Sequence, residues 1–344
     1  EAAIRSVITS DAQRSLSSAL SSNTRLTREA RERFLTSRAQ MQADEAGVAS
    51  RNQIAFALDG FAKATAEQQS AQGNFFAQNG NFEGTKRRLV FGDFDVQHDR
   101  DTGSTTATLN GKIAWEQMLS EQTMLGYYLG GEVARSNIRG SFTGNQDKYG
   151  LSVGGYFVHT LQENVFLDGF ASLGAGRNNL EMANDTLGLT SDYTTKTATL
   201  GAALSGVIEQ DGYDFLPELS FTYGKTFIGD VGFTGTAYGL VDNTLSLDAG
   251  DVSTAKLMFR PEFRFALDGQ KISESLSTLS FAPRLICEQQ KVGGVTADNC
   301  GGGAEFGVTS STVDGLTSAT TKLVVDRVGN STRSSLQFQL EHKF

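Results

Sequence analysis

The sequence predicts an all-β transmembrane protein: a 12-stranded antiparallel outer-membrane β-barrel with an N-terminal α-helical segment. Three observations predict it. From about residue 87 onward, apolar and polar residues alternate with the period of a strand and not of a helix. Many of these runs extend over about 12 to 16 residues, whereas strands of globular sheets average roughly 5 or 6 and a tilted spanning strand needs about 9 to 11. The connections between them are alternately short and long, as in barrels with short periplasmic turns and longer outer loops.

The composition fits that class. The 344 residues include 38 Gly, 23 Phe and only 3 Pro. No apolar run reaches the roughly 18 residues that a spanning helix requires. A mean hydropathy of −0.26 would suit a water-soluble protein, but in a barrel the lipid-facing and lumen-facing residues cancel in the average. A net charge of −9 argues against a nucleic-acid partner. The opening Glu1-Ala-Ala-Ile-Arg has neither a basic nor an apolar leader region, so the expectation is a chain that follows a signal peptide or is cut from a longer one.

Residues 1–80 are expected to form a helical segment and linker. They contain no Pro and, before Gly60, only Gly47. Strong helix formers dominate, and 26–41 and 54–69 read as helix. The apolar stripe is thin: Leu16, Ala19, Leu20, Leu26, Ala30 and Phe34. A helix this polar bridges solvent, pairs with another chain, or lies in a polar cavity. The Gly and Asn residues of 72–81 then break the helix.

The barrel domain is expected over 81–344, with strands at 87–97, 104–117, 123–138, 145–160, 163–178, 192–208, 213–228, 252–268, 276–288, 302–310, 317–328 and 333–344. The eighth shows the pattern well. Leu257, Phe259, Phe263, Phe265 and Leu267 share one face, and Lys256, Arg260, Glu262 and Arg264 the other. Short connections fall at 119–122, 161–163, 209–212, 269–275 and 313–316, long ones at 138–144, 179–191, 229–251 and 289–301. With a periplasmic C-terminus, an even strand count starts the first strand in the periplasm too. The preceding segment then leaves on that side or passes back up through the pore. Pro217, Pro261 and Pro283 fall inside strands and each removes a ladder donor, so bulges are expected there.

Several motifs resemble the C-terminal translocator domain of type Va autotransporters. Lys148-Tyr-Gly-Leu-Ser-Val-Gly-Gly-Tyr-Phe, followed after a short turn by Asn164-Val-Phe-Leu-Asp-Gly-Phe, is similar to that family's fourth-to-fifth strand hairpin. Asp214-Phe-Leu-Pro-Glu-Leu-Ser-Phe-Thr-Tyr-Gly resembles its proline-bearing strand. Leu336-Gln-Phe-Gln-Leu-Glu-His-Lys-Phe resembles its last strand, in which Leu336, Phe338, Leu340 and Phe344 would be read by the barrel assembly machinery. The likeness spans about residues 50 to 344. His342 departs from the pattern, and the family's Trp-x-Arg start of the first strand is absent. Self-cleavage is not carried over, because Asn178-Asn179 falls within the barrel and the helix end offers only Asn79-Gly80-Asn81.

The resemblance implies an outer-membrane anchor that assists export of a covalently linked N-terminal passenger, with lipid, lipopolysaccharide and the assembly machinery as partners and a monomeric barrel. It implies a helix inside the lumen, for which residues 49–72 are the expected plug, with 1–46 outside. Charge agrees with that placement. Residues 1–72 carry nine Lys+Arg against eight Asp+Glu, and the remainder 21 against 31. A periplasmic helical extension is the competing placement.

No catalytic, cofactor or metal site emerges. His98, His159 and His342 lie on different strands, and two cysteines without nearby histidines make a poor zinc site. Cys287 and Cys300 flank a connection assigned to the oxidising exterior, where a disulfide is expected; two free thiols are the alternative. Lys256, Arg260, Glu262, Arg264, Arg284 and Glu341 are expected to line the lumen, along an ion path or as a clamp on a helix. A small-solute porin is the second functional reading, and an outer-membrane lipase or protease the third.

Overall fold

The computed structural model describes residues 1–43, 53–63, 68–83, 86–99, 103–267, 275–313 and 316–343. Among these residues a helix, α1 (Ala2–Ala43), precedes seventeen strands. The first eight are β1 (Gln53–Lys63), β2 (Gln68–Glu83), β3 (Lys86–Asp99), β4 (Thr105–Ser120), β5 (Thr123–Ile138), β6 (Thr143–Gln162), β7 (Val165–Ala183) and β8 (Gly188–Gly206). Then come β9 (Ile208–Gln210), β10 (Tyr213–Phe227), β11 (Asp230–Ala237), β12 (Leu240–Asp248) and β13 (Asp251–Ala266). The last are β14 (Ser277–Val292), β15 (Val295–Ser311), β16 (Thr317–Val328) and β17 (Ser331–Lys343).

All pairings are antiparallel. They run in chain order from β1 to β8, pass to β10 and β13, and continue to β17, which pairs β1 along its whole length from Gln53↔Lys343 to Lys63↔Arg333. Each strand of this circuit has a neighbour on both sides. The short β9 continues β8 beyond Val207 and also pairs β10. The β11–β12 hairpin extends from one rim, with β11 joined to the start of β8.

All twelve expected strands are present, two of them (123–138 and 317–328) with the expected bounds and the others with shifted ends, but the circuit contains fourteen. The two extra, β1 and β2, come from 53–83, where a plug helix at 49–72 and a linker were expected. Helix propensity misled there. Ala and Gln are good helix formers, but propensity is overridden by tertiary pairing, and the alternation of Ile54, Phe56 and Leu58 is a strand pattern that sheet pairing can use. The barrel therefore begins at residue 53 and not at 81.

The two faces of the wall are those of a protein in lipid. Leu109, Leu129, Leu151, Leu173 and Leu285 are more than half exposed, while their strand neighbours Asn110, Lys112, Glu116, Asp168 and Glu305 face inward. Charge inside and apolar surface outside suit hydrocarbon as the outer solvent. Trp115 and Tyr127 stack across β4 and β5, 5.4 Å between centroids.

Two expected irregularities are regular. The long connection at 289–301 is mostly ladder, which runs to Val292↔Val295 and turns at Gly293 and Gly294 with φ of 56° and 87°. Positive φ at both central residues matches the twist of the flanking strands, so the Gly-Gly pair marks a hairpin. Cys287 and Cys300 are opposite residues on that ladder and form the disulfide, 4.0 Å between Cα atoms. The prolines cause no bulge. Pro217 faces Pro261, and the β13–β14 register is the same above and below Pro261, at Phe259↔Leu285 and Phe263↔Phe281. Only the rungs from Arg260 to Glu262 are missing between β13 and β14. Arg260 bridges that level, paired at 2.7 Å with both Glu262 and Glu305.

Because the disulfide staples a ladder that is already paired, its loss should loosen only the hairpin tip. The Cys287→Ser/Cys300→Ser protein should lose at most about 3 kcal/mol in urea unfolding. Faster amide exchange should be confined to 288–299. Loss of the folded barrel would contradict this reading.

Candidate functional site, the helix-filled lumen

The apolar stripe of α1 is buried along its length. Ile8 packs among Ile138, Leu180, Leu189, Val231 and Leu247, at the rim that carries the β5–β6, β7–β8 and β11–β12 connections. Leu16, Leu20, Leu26, Ala30 and Phe34 belong to a second cluster with Phe76, Met118, Met124, Val158 and Phe166, near the short β4–β5 and β6–β7 turns. From Ile8 to Phe34 a helix rises roughly 39 Å, more than the ~30 Å of bilayer hydrocarbon. The helix thus runs from one rim to the other, and its C-terminal end lies on the side where β1 begins. Residues 1–35 thus pack against the inward side chains of the strands, whereas 49–72 had been the expected plug and 1–46 had been expected outside.

Three tiers of polar contact hold it. At the first, Asp11 accepts hydrogen bonds from Ser136 and Gln146, both at 2.9 Å. Gln13 donates to Thr254 at 2.6 Å, and Ser15 to Glu132 at 3.0 Å. Lys148 bridges Ser15 and Glu132.

Asn23 is the centre of the second tier. Its Oδ1 accepts from Lys112 Nζ at 2.8 Å and from the Tyr128 hydroxyl at 2.7 Å. Its Nδ2 donates to Ser172 at 3.1 Å and to Thr199 at 3.0 Å. All four bonding positions of the carboxamide are used, which fixes both the depth and the rotation of the helix. Asp93 takes Ser22 at 2.8 Å and Arg25 at 3.2 Å. Glycine makes room for the tyrosines of this tier and the next: a Cβ at Gly154 would lie 2.5 Å from the Tyr128 ring, and one at Gly126 would lie 2.1 Å from Tyr156.

The third tier is ionic. Arg28 and Arg31 share Glu218 at 2.7 and 2.6 Å, and Arg31 also binds Asp168 at 2.8 Å and Ser205 at 2.9 Å. Arg33 binds Glu116 at 2.7 Å, with Phe76 and Phe91 rings 5.1 and 5.3 Å from its guanidinium carbon. Glu116 has no exposed side-chain surface, and it also takes Arg87 at 2.5 Å and the Tyr156 hydroxyl at 2.9 Å. Charge-assisted pairs of this kind are short and directional.

The residues expected to line the lumen lie mostly on another part of the wall. Lys256 pairs with Glu288 at 3.5 Å, Arg264 with Glu262 at 2.5 Å and Arg284 with Asp326 at 3.1 Å. Glu341 is half-buried, opposite Ser318 and Ala55. Leu336, Phe338 and Leu340 are exposed on the outer face of β17, and Phe344 lies outside the described residues. His98, His159 and His342 each hydrogen-bond a cross-strand threonine: Thr105, Thr123 and Thr317. Among the described residues no His, Cys, Asp and Glu cluster could hold a metal.

Sequence reasoning missed the residues that grip the helix: Asp93, Lys112, Glu116, Tyr128, Asp168 and Glu218. A signal existed. Each occupies a polar slot in an alternating strand, and the helix carries four arginines between Arg25 and Arg33. Which slot meets which arginine depends on pairings far apart in the chain.

No protein-family model and no curated protein matches the sequence. Among solved structures, the CymD monoaromatic hydrocarbon channel is similar over 86% of this chain and 88% of its own, with 10% identity and a TM-score of 0.51. The β domain of the Bordetella autotransporter BrkA is similar over 86% of this chain and 100% of its own, with 15% identity and a TM-score of 0.49. The translocator domain of autotransporter NalP from Neisseria meningitidis covers 92% and 97%, with 12% identity and a TM-score of 0.48. At such identities the likeness to the channel is one of barrel fold.

Glu116→Gln should cost about 3 to 5 kcal/mol in unfolding, because it removes the buried carboxylate that Arg33 and Arg87 share. Arg177→Ala, which breaks an exposed pair with Asp192, should cost only about 0 to 1 kcal/mol. Gly224→Leu tests the helix packing. A Cβ there would lie 2.6 Å from Leu16 Cδ1 and 3.1 Å from Leu20 Cδ1. The variant should keep the barrel while trypsin gains access to Arg25–Arg33; continued protection of those sites would contradict the packing.

Proposed function

We propose that the chain is the outer-membrane translocator and anchor of an autotransporter, assisting export and surface display of a passenger linked to its N-terminus. The observation that carries this reading is the course of α1. It crosses the ring from the rim opposite the start of β1, bound to the wall by matched ion pairs. Such a helix is what remains when a polypeptide has passed through a pore and its last segment stays behind as a plug. Its N-terminal end then faces the cell surface and the C-terminus of the chain the periplasm.

The function is physical and not enzymatic. The closed wall supplies a hydrated conduit in lipid, and the helix occludes it afterwards. Barrel assembly machinery, lipid and lipopolysaccharide are the partners this role requires, with the assembly machinery reading the outward Leu336, Phe338 and Leu340. The likeness to a hydrocarbon channel gives the small-solute channel some support as a second reading. The helix tells against it, because an open channel has no need of a plug held by buried arginines.

Deleting residues 2–43 leaves β1 intact and separates the two readings. In planar bilayers the whole chain should conduct far less than the deleted one, and equal conductance would defeat the plug. An epitope placed before Glu1 should be detected on intact cells, whereas one placed after Phe344 should require permeabilised cells. The reverse pattern would overturn the orientation.

A further inference from the structure

Three prolines interrupt the wall at one level. Pro217 faces Pro261 across β10 and β13, and the β13–β14 register puts Pro261 opposite Pro283. Opposite residues of an antiparallel pair alternate between those that exchange two backbone hydrogen bonds and those that exchange none. If Pro261 and Pro283 were a non-bonded pair, their neighbours would supply every N–H and no rung would be lost. As a bonded pair they lack both donors, and the rung on either side loses one bond. The rungs lost are those at Arg260, Pro261 and Glu262, so the prolines are the bonded pair.

From the rung Phe259↔Leu285 to the rung Phe263↔Phe281, β13 and β14 therefore share no backbone bond. That is about 14 Å of strand, at ~3.4 Å per residue. The carbonyls of Pro261 and Pro283 face across the gap with no N–H to accept from. The gap lies within the apolar band, because Phe259 and Leu285 are exposed on one side of it and Phe265 and Leu279 on the other. A carbonyl without a donor is costly in hydrocarbon. Two more polar atoms lack partners on the lumen side. Arg284, next to Pro283, reaches Met258 of β13 and Asp326 of β16. Among the described residues its Nε is buried without a partner, as is Asp326 Oδ1. Gly303, between them in register, lets them meet: a Cβ there would lie 2.1 Å from that Oδ1. Buried polar groups with no protein partner take ordered water, which makes about three hydrogen bonds.

We propose that this stretch is a solvated seam in the wall, with lumen water bound between Arg284 and the carbonyls of Pro261 and Pro283, and that β13 and β14 part there ahead of the unbroken ladders beside it. No backbone bond between Phe259 and Phe263 has to break for that parting. The Arg260–Glu305 ion pair, which runs from β13 to β15 across the inner side, is the link that stretches. Aromatic pairs hold each strand to its other neighbour, Phe215 with Phe263 at 5.0 Å and Phe281 with Phe306 at 4.9 Å.

Carbonyl-13C proline labels three carbonyls of the whole chain, because it has three prolines. In solid-state NMR of the labelled chain in lipid vesicles, polarisation should pass from water to Pro261 and Pro283. Pro217 is the reference and should receive least, since its carbonyl accepts from the Gly206 N–H in a bond that frames the Glu218↔Ser205 rung. Pro261→Val gives the Pro283 carbonyl a donor and should remove its water signal, and Pro283→Val should do the same for Pro261. Either variant serves if the other does not fold, and heat-dependent gel mobility checks each. In the parent, amide exchange should be faster at Phe259 and Phe263, which bond to β14, than at Arg260 and Glu262, which bond to β10. The variants should slow it at Phe259 and Phe263 by roughly two- to tenfold. Dry Pro261 and Pro283 carbonyls in the parent, a water signal that survives in a folded variant, or equal exchange on the two sides of β13 would each overturn the seam.

Discussion

In hydrocarbon a backbone amide has no water to fall back on, and a sheet edge left open there would strand a row of N–H and C=O groups. The pairing of β17 with β1 answers that requirement, and the rest of the structure follows from it. Once the sheet returns on itself, the alternation of side chains divides the wall into an apolar outside and a polar inside. The interior must then be filled by water, by its own charges, or by another polar element. Here the wall's own charges and a polar helix both do so.

The helix suits its position because it is a poor helix for any other. Its apolar stripe is too narrow to anchor it in a soluble core, and its arginines would forbid it from lipid. Inside the ring, each buried arginine between Arg31 and Arg33 meets a carboxylate whose burial would otherwise be costly. Apolar contacts at both rims add burial, and Asn23 fixes the register between them. The ion pairs are best seen as setting which helix fits and at what depth, since desolvation offsets much of their attraction.

The same accounting explains why the wall is two-sided. On β3 to β10 many inward groups are completed by α1, and Gly224 leaves room for its Leu16 and Leu20. On β13 to β17 many charges also pair within the wall, about Glu262, Glu288, Glu305 and Asp326. The aligned Pro217 and Pro261 fall at the junction of these halves, where Arg260 spans the missing rungs through Glu262 and Glu305.

The sequence by itself determined the class of fold. Twelve of the fourteen strands of the circuit, the outward face of the last one and the cysteine pair were legible, because period-two alternation and cysteine placement are local features. It misread 53–83, where alternation competes with helix-forming composition. It also took the Gly293-Gly294 hairpin for a loop. What only the tertiary structure decided is that fourteen strands form the circuit among the described residues and that residues 1–35 pack against their inward side chains. It also decided which carboxylates hold that helix. Each of those depends on pairings between residues distant in the chain, such as Arg31 with Asp168 and Glu218. Closure of the ring creates those neighbours, and no local pattern encodes them.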